Sequence, residues 1–192
     1  MGKEFELKYS ADSEKLEQIA RAYGDFQKIT METTYYDTPE GSLSRLRITL
    51  RRRMENGQAV CTVKTPQTGL TRGEWEINCA DIREAIPELC KLGCPVDLPA
   101  MTTNGLVEVC GARFTRLAKT LTWAGAQLEL ALDQGVLIGG GRELAFCEAE
   151  VELKDGPETA AEDFARHLAQ KYDLQRSQVS KFRRALNLAR GE

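Results

Sequence analysis

The feature that most constrains this chain is an alternation of charge and bulk that returns in segment after segment. Glu4, Glu6 and Lys8 alternate with Phe5, Leu7 and Tyr9, and successive side chains of an extended strand point to opposite faces. In 46–53, Arg47, Thr49, Arg51 and Arg53 oppose Leu46, Ile48 and Leu50. Thr62 and Lys64 oppose Cys61 and Val63, and Glu74, Glu76 and Asn78 oppose Trp75, Ile77 and Cys79. Further on, Arg116 opposes Leu117, Leu121 and Trp123 across 115–123, and Glu129 and Asp133 oppose Leu128, Leu130 and Leu132. In 147–153, Glu148, Glu150 and Glu152 oppose Cys147, Ala149, Val151 and Leu153.

Apolar faces of this kind need cover, and the helical stretches are the available cover. The charged faces must meet water or one another. A sheet curled into a barrel with helices outside would turn them into its bore. Carboxylates gather on some strands (Glu4, Glu6; Glu74, Glu76; Glu148, Glu150, Glu152) and cations on others (Arg51, Arg53; Lys64; Arg116). Together they would give an acidic half and a basic half, a container for a polyanion with its metal ions.

Composition removes several alternatives. The 192 residues suit one domain, and a net charge of −3 argues against nucleic acid as a partner. No apolar run reaches the roughly 18–20 residues of a membrane span. The first strand begins at once, so no leader is expected and the expected location is the cytoplasm. The six cysteines have no CxxC spacing and there is one histidine, His167, in a helical stretch. A thiolate or imidazole metal site is therefore unsupported, and a metal would be held by carboxylates, which suits Mg²⁺ or Mn²⁺.

Along the chain, a helix is expected at 12–23 and a strand at 28–37, closed by the turn Asp37-Thr38-Pro39-Glu40-Gly41. Asn56-Gly57 marks a hairpin, and a loop spans 66–72. The stretch 81–110 reads as helical, broken by Pro87, Pro95 and Pro99. Ala124-Gly125-Ala126 is a turn, Gly139–Gly141 a hairpin tip, and two helices follow at 159–172 and 178–189.

These residues resemble the CYTH domain, the triphosphate tunnel metalloenzyme family. Glu4-x-Glu6-x-Lys8 is similar to its ExExK, Tyr35-Tyr36-Asp37-Thr38 to its YxDT turn, and Leu50-Arg51-Arg52-Arg53 to its LRxR strand. Thr62-Val63-Lys64 resembles TxK, Arg72-Gly73-Glu74-Trp75-Glu76 resembles RxExE, and Ala131-Leu132-Asp133-Gln134-Gly135 resembles ALDxG. Arg116 stands at the lone-arginine strand, Glu148-Ala149-Glu150-Val151-Glu152 matches the late ExExE, and Ser177–Arg183, with Lys181, matches the terminal SK segment.

The resemblance implies an α+β fold, an eight-stranded antiparallel β-barrel with flanking helices, spanning 1–192 as one domain. It also implies a triphosphate substrate and bound Mg²⁺ or Mn²⁺. On that basis Lys8, Arg51, Arg53, Lys64, Arg116 and Lys181 form a basic cradle for phosphate oxygens. Glu4, Glu6, Glu148 and Glu150 hold metal. Lys8, Glu150 and Asp133 are the catalytic candidates, with Glu74, Glu76, Glu129 and Glu152 as supporting or water-orienting groups. Arg52, Arg113 and Lys119 point away from the bore. Arg47 shares a face with Arg51 but sits at the strand start, where a surface role competes, and Tyr35 and Tyr36 are read as packing residues.

The overall pattern looks most like the bacterial inorganic triphosphatase branch, and that resemblance implies cleavage of tripolyphosphate to pyrophosphate and phosphate. A thiamine triphosphatase or class IV adenylate cyclase is the alternative within the family, and a non-catalytic polyphosphate or nucleotide binder is the alternative outside enzymes. A cyclase tends to carry His-Phe ahead of ExExK, where only three residues stand here. A thiamine triphosphatase needs an aromatic platform that Trp75 and Trp123, both on outward faces, do not supply. The helical, histidine-rich CHAD domain of many branch members is not expected in this chain. The expected partner is the small-molecule substrate, with neither nucleic acid nor membrane, and a homodimer is compatible with a barrel.

Overall fold

The computed structural model describes residues 2–66 and 71–192. Of the expected 66–72 loop, residues 67–70 lie outside the described residues. The long strands are β1 (Gly2–Ser10), β2 (Gln27–Asp37), β3 (Thr49–Glu55), β4 (Gln58–Lys64), β5 (Thr71–Asn78), β6 (Val107–Trp123), β7 (Ala126–Gly139) and β8 (Arg142–Asp155). They pair antiparallel in the order β5-β4-β3-β2-β6-β7-β8-β1, and β1 pairs with β5 to close the ring into an eight-stranded barrel. A two-residue strand, β9 (Gln175–Arg176), adds to the end of β1.

Alternation decides what lies inside. Phe5, Leu7 and Tyr9 face outward with Leu128, Leu130, Leu132, Ala149 and Val151, forming a core beneath α1 (Ser13–Tyr23) and α5 (Glu158–Tyr172). On the other side, Leu50, Cys61 and Val63 pack under α3 (Ile82–Lys91) and α4 (Leu98–Met101) with Leu43 of the short α2 (Ser42–Arg45). Burial pushes the Cys61 thiol up to about 12, so it is an inert core group.

Several element boundaries differ from expectation, the helix expected from 178, which starts at Lys181, among them. The strand expected at 46–53 starts at Thr49, because Asp37 accepts from the backbone N–H of Thr38, Leu43 and Ser44 and anchors α2 ahead of it. Arg47 then takes the left-handed φ of +57° in an exposed turn. The helical reading of 81–110 overreaches: the helices end at Lys91 and Met101, Gly105 turns the chain at φ +98°, and Val107 pairs with Asp37 as the start of β6. The strand expected at 147–153 runs from Arg142 to Asp155.

The last helix, α6 (Lys181–Arg190), caps one end of the barrel. Ser180 accepts from the Arg183 N–H as its cap, and Ser180, Lys181 and Phe182 enter the cavity wall, Phe182 against Tyr35 with ring centroids 5.0 Å apart. The β7–β8 tip forms the seat. A Cβ on Gly139 would lie 2.4 Å from the Ala185 carbonyl oxygen and 2.7 Å from the Ala189 nitrogen, so hairpin and helix meet backbone to backbone. Gly139→Val is expected to lower stability by about 1–3 kcal/mol, the usual cost of overpacking. A urea midpoint equal to wild type would show that the helix does not need that approach.

Candidate active site

The bore is a cavity of about 240 Å³. Exposure along β8 shows which end meets solvent: the side chains of Glu148, Glu150, Glu152 and Lys154 are 0, 7, 25 and 41 % exposed in turn. The end beneath α6 is closed and the Lys154 end is open.

Of the expected substrate residues, Lys8, Arg51, Arg53, Lys64, Arg116 and Lys181 all line this cavity, and so do Glu4, Glu6, Glu150, Glu74, Glu76, Glu129 and Glu152. Glu148 and Asp133 do not. They are fully buried behind the wall and reach the cavity through the cations they hold.

At the closed end every carboxylate lies against a cation. Lys181 Nζ lies 2.9 Å from Asp133 Oδ2, 2.5 Å from Glu148 Oε2 and 2.7 Å from Glu150 Oε1, above the rings of Phe114 and Phe146. Asp133, Glu148 and Glu150 have ligand atoms within 4.8 Å of one another, the spacing of a metal site, but the ammonium occupies it. Arg116 grips Asp133 with Nε and Nη2, both at 2.7 Å, and reaches Glu150 at 2.6 Å. Arg184 pairs with Glu148 from outside. Burial would raise the Glu150 carboxyl, yet Lys181, Lys8 and Arg116 hold it well below the usual carboxylate range. Burial likewise opposes charge on Lys181, and Asp133, Glu150 and Glu148 overcome it, lifting the ammonium above its usual range.

On the β3–β4–β5 wall, cations outweigh their partners. Lys64 is 2.6 Å from Glu4 and 3.0 Å from Glu74, Arg72 is 2.6 Å from Glu4, and Arg51 is 3.5 Å from Glu74. Even so, burial and the guanidiniums of Arg51 and Arg72 push the Lys64 ammonium down. Arg53 is pushed down by burial and Arg51, against the opposing pull of Glu55. Among the described residues, the Nε atoms of Arg51 and Arg53 are buried with no hydrogen-bond partner, as is that of Arg52 outside the cavity lining. Buried donors without partners are costly, and an anion supplies what this wall lacks.

Carboxylates dominate the opposite wall near the mouth. The register places Glu6 opposite Glu152 and Glu152 opposite Glu129, a row across β1, β8 and β7. Directly opposed like charges repel. Burial raises the Glu152 carboxyl, and Glu129 and Glu4 add to that rise against the pull of Lys154. Deeper in, Lys8 stands 3.2 Å from Glu6 and 3.6 Å from Glu150.

β2 contributes Ile29, Met31, Thr33 and Tyr35, so one wall carries no charge. Trp75 and Trp123 lie on the outside, packed into the two outer cores, as alternation predicts. Lys119 points outward and donates to the Tyr23 and Gly24 carbonyls, Arg113 pairs with Glu143, and His167 is exposed against Trp123. Sequence reading passed over Arg72, Glu55 and Lys154 as bore residues, although each extends its strand's alternation by one further step.

The model of the CYTH domain matches residues 2–186. A curated relative, the inorganic triphosphatase of Haemophilus influenzae, is 28% identical over 163 residues, 83% of this chain and 46% of the relative. This chain thus spans about half the length of that protein. Among solved structures, a Pyrococcus horikoshii OT3 protein superposes with a TM-score of 0.66 at 22% identity, covering 96% of this chain and 99% of its own. A Hippeastrum protein described as a candidate adenylyl cyclase with a dominant triphosphatase activity superposes at 0.64 and 17% identity, over 100% of this chain and 96% of its own. At those identities the two structures speak for the fold.

Proposed function

Since this chain belongs to the CYTH domain family, we propose that its bore is the active site of a divalent-metal-dependent triphosphatase, with inorganic tripolyphosphate as substrate and pyrophosphate and phosphate as products. One observation carries this reading. One cavity opposes a cation-rich wall, where the Nε donors of Arg51 and Arg53 are buried without a partner among the described residues, to a row of three carboxylates at its open end.

The donor set fits Mg²⁺ or Mn²⁺ as oxygen ligands facing a cavity. Glu6, Glu152 and Glu129 would hold the ion, with Glu4 and Glu150 flanking them, whereas the Asp133–Glu148–Glu150 group is neutralised by Lys181. When bound there, a hard cation neutralises phosphate oxygens and lowers the pKa of water.

The chain's own side chains do the rest. Arg51 and Arg53 would grip the phosphate oxygens with donors left unpartnered among the described residues, and Lys64 and Arg72, held by Glu4 and Glu74, would add charge beside them. Burial opposes charge on Lys8, but Glu6 and Glu150 raise it, so it works as a fixed ammonium against developing negative charge rather than as a base. Asp133 acts at one remove, by holding Arg116 and Lys181 in place. The inorganic substrate is favoured because the rings that reach the cavity are engaged with protein groups, Tyr35 with Phe182, and Phe114 with Phe146 beneath the Lys181 ammonium.

The test is phosphate release from tripolyphosphate, thiamine triphosphate, ATP and pyrophosphate with Mg²⁺, Mn²⁺ or EDTA. Metal-dependent cleavage of tripolyphosphate is the expected result. Preference for thiamine triphosphate would reassign the substrate, cyclic AMP from ATP would make the protein a cyclase, and no turnover at all would leave a binding module.

A further inference from the structure

Lys154 differs from every other cation of the bore. The β7–β8 ladder slips by one between Leu128, which faces Leu153, and Gln127, which faces Asp155. Lys154 is the extra residue of that bulge, with no partner across the ladder. Bulges loosen local pairing. The side chain keeps the inward sense of Glu150 and Glu152, with Nζ 2.9 Å from Glu152 Oε2 and 3.7 Å from Glu129 Oε2. The other cavity cations are held more deeply: Lys64 is 7 % exposed, Lys181 10 %, Lys8, Arg51 and Arg116 13 %, Arg53 14 % and Arg72 24 %, against 41 % for Lys154.

We propose that Lys154 is a displaceable internal counter-ion, a positioning residue that sets the affinity of the Glu6–Glu129–Glu152 row for divalent cation by competing for it. The proposal rests on the metal reading above. In the metal-free protein its ammonium neutralises two opposed carboxylates that would otherwise repel. A divalent cation needs those same oxygens, and the flexible, half-exposed stem lets the ammonium swing into solvent at the mouth. Lys181 performs the same neutralisation at the closed end but cannot leave, because it is buried and has three carboxylate partners. One acidic cluster is therefore permanently filled and the other exchangeable.

The experiment is calorimetric titration of Mn²⁺ into the full chain without substrate, comparing wild type, Lys154→Met, which keeps the stem, and Lys154→Arg, which keeps the charge. Lys154→Met is expected to bind Mn²⁺ about fivefold more tightly, equivalent to roughly 1 kcal/mol, with Lys154→Arg close to wild type. A crystal soaked in Mn²⁺ should show Nζ withdrawn from both carboxylates. Equal Mn²⁺ affinity in wild type and Lys154→Met, or an Nζ still on both carboxylates beside the bound ion, overturns the proposal alone. Titrating tripolyphosphate in EDTA separates the rival role: weaker tripolyphosphate binding by Lys154→Met with unchanged Mn²⁺ affinity would make Lys154 a phosphate ligand instead. Failure of wild type and both variants to bind Mn²⁺ would overturn the metal reading together with the proposal.

Discussion

Replacing Lys181 by Met is expected to destabilise the fold by about 3–5 kcal/mol, the cost of removing one partner from a buried ion cluster. For a chain of this size, that is a fall in Tm of roughly 6–20 °C. The variant would leave Asp133, Glu148 and Glu150 within 4.8 Å of each other without their shared ammonium. Its pH dependence is diagnostic. In wild type the Glu150 carboxyl is held far below its ordinary value of 4.5, so its contribution is present above that value and is lost as pH falls through the depressed one. In the variant Glu150 loses the strongest of the cations that hold it down and keeps Lys8 and Arg116, so its carboxyl is less depressed than in wild type. The deficit should therefore be largest near neutral pH and shrink as pH falls below the ordinary carboxylate value, where the wild-type advantage is lost. Urea denaturation at several pH values reads this directly. A deficit under about 1 kcal/mol, or one that does not shrink in acid, would mean that Lys181 is not the group neutralising this cluster.

Glu152→Gln should have the opposite signature, losing activity while keeping the fold. Burial, Glu129 and Glu4 raise the Glu152 carboxyl, so its ionised form costs stability at neutral pH. Gln removes that cost together with the Lys154 pair, whose partner is 41 % exposed and so contributes little. Tm should equal or exceed that of wild type. Metal-dependent cleavage of tripolyphosphate should drop by roughly 100-fold or more, since even groups that merely support a metal ligand are worth 10–100-fold. A destabilised functional row exchanged for a more stable, inactive one is the usual trade-off between stability and activity. Retained turnover would take the metal away from this row.

Much of the barrel was legible because a strand's side-chain period is fixed at two. On β1, β3, β5 and β8 the alternating acids and bases line the bore from Glu4 to Lys8, Arg51 to Glu55, Arg72 to Glu76 and Glu150 to Lys154, whereas on β6 Phe114 lines it and Arg113 is exposed outside. β2 shows the limit of that rule. Its inward set is Ile29, Met31, Thr33 and Tyr35, while Lys28, Thr30 and Glu32 are exposed outside. Alternation separates the two sets but does not say which one faces a helix, and here the exposed outer set faces water instead. Arg72 and Lys154 were missed because strand ends are poorly marked: each extends an alternation one step past its apparent limit. The partnerships were beyond reach altogether. Nothing local in the C-terminal helix announces that Lys181 will fill a space between Asp133, Glu148 and Glu150, because the elements meet only after the ring has closed. The same missing information hid the placement of Glu148 behind the cavity wall.

The ring's closure has a kinetic consequence. β1 carries Glu4, Glu6 and Lys8, yet its ladder partners are β8, far along the chain, and β5, where Glu4 meets Arg72 across 68 positions. Hairpins such as β3–β4 and β7–β8 can zip locally, but pairing distant strands must first meet the entropy of closing a long loop. During synthesis β1 precedes β8 and has to wait for it before it can take its place. The final latch of the barrel is therefore the step that assembles the charged cavity, and a chain stalled before that step holds neither a complete wall nor the opposed rows of acids and bases.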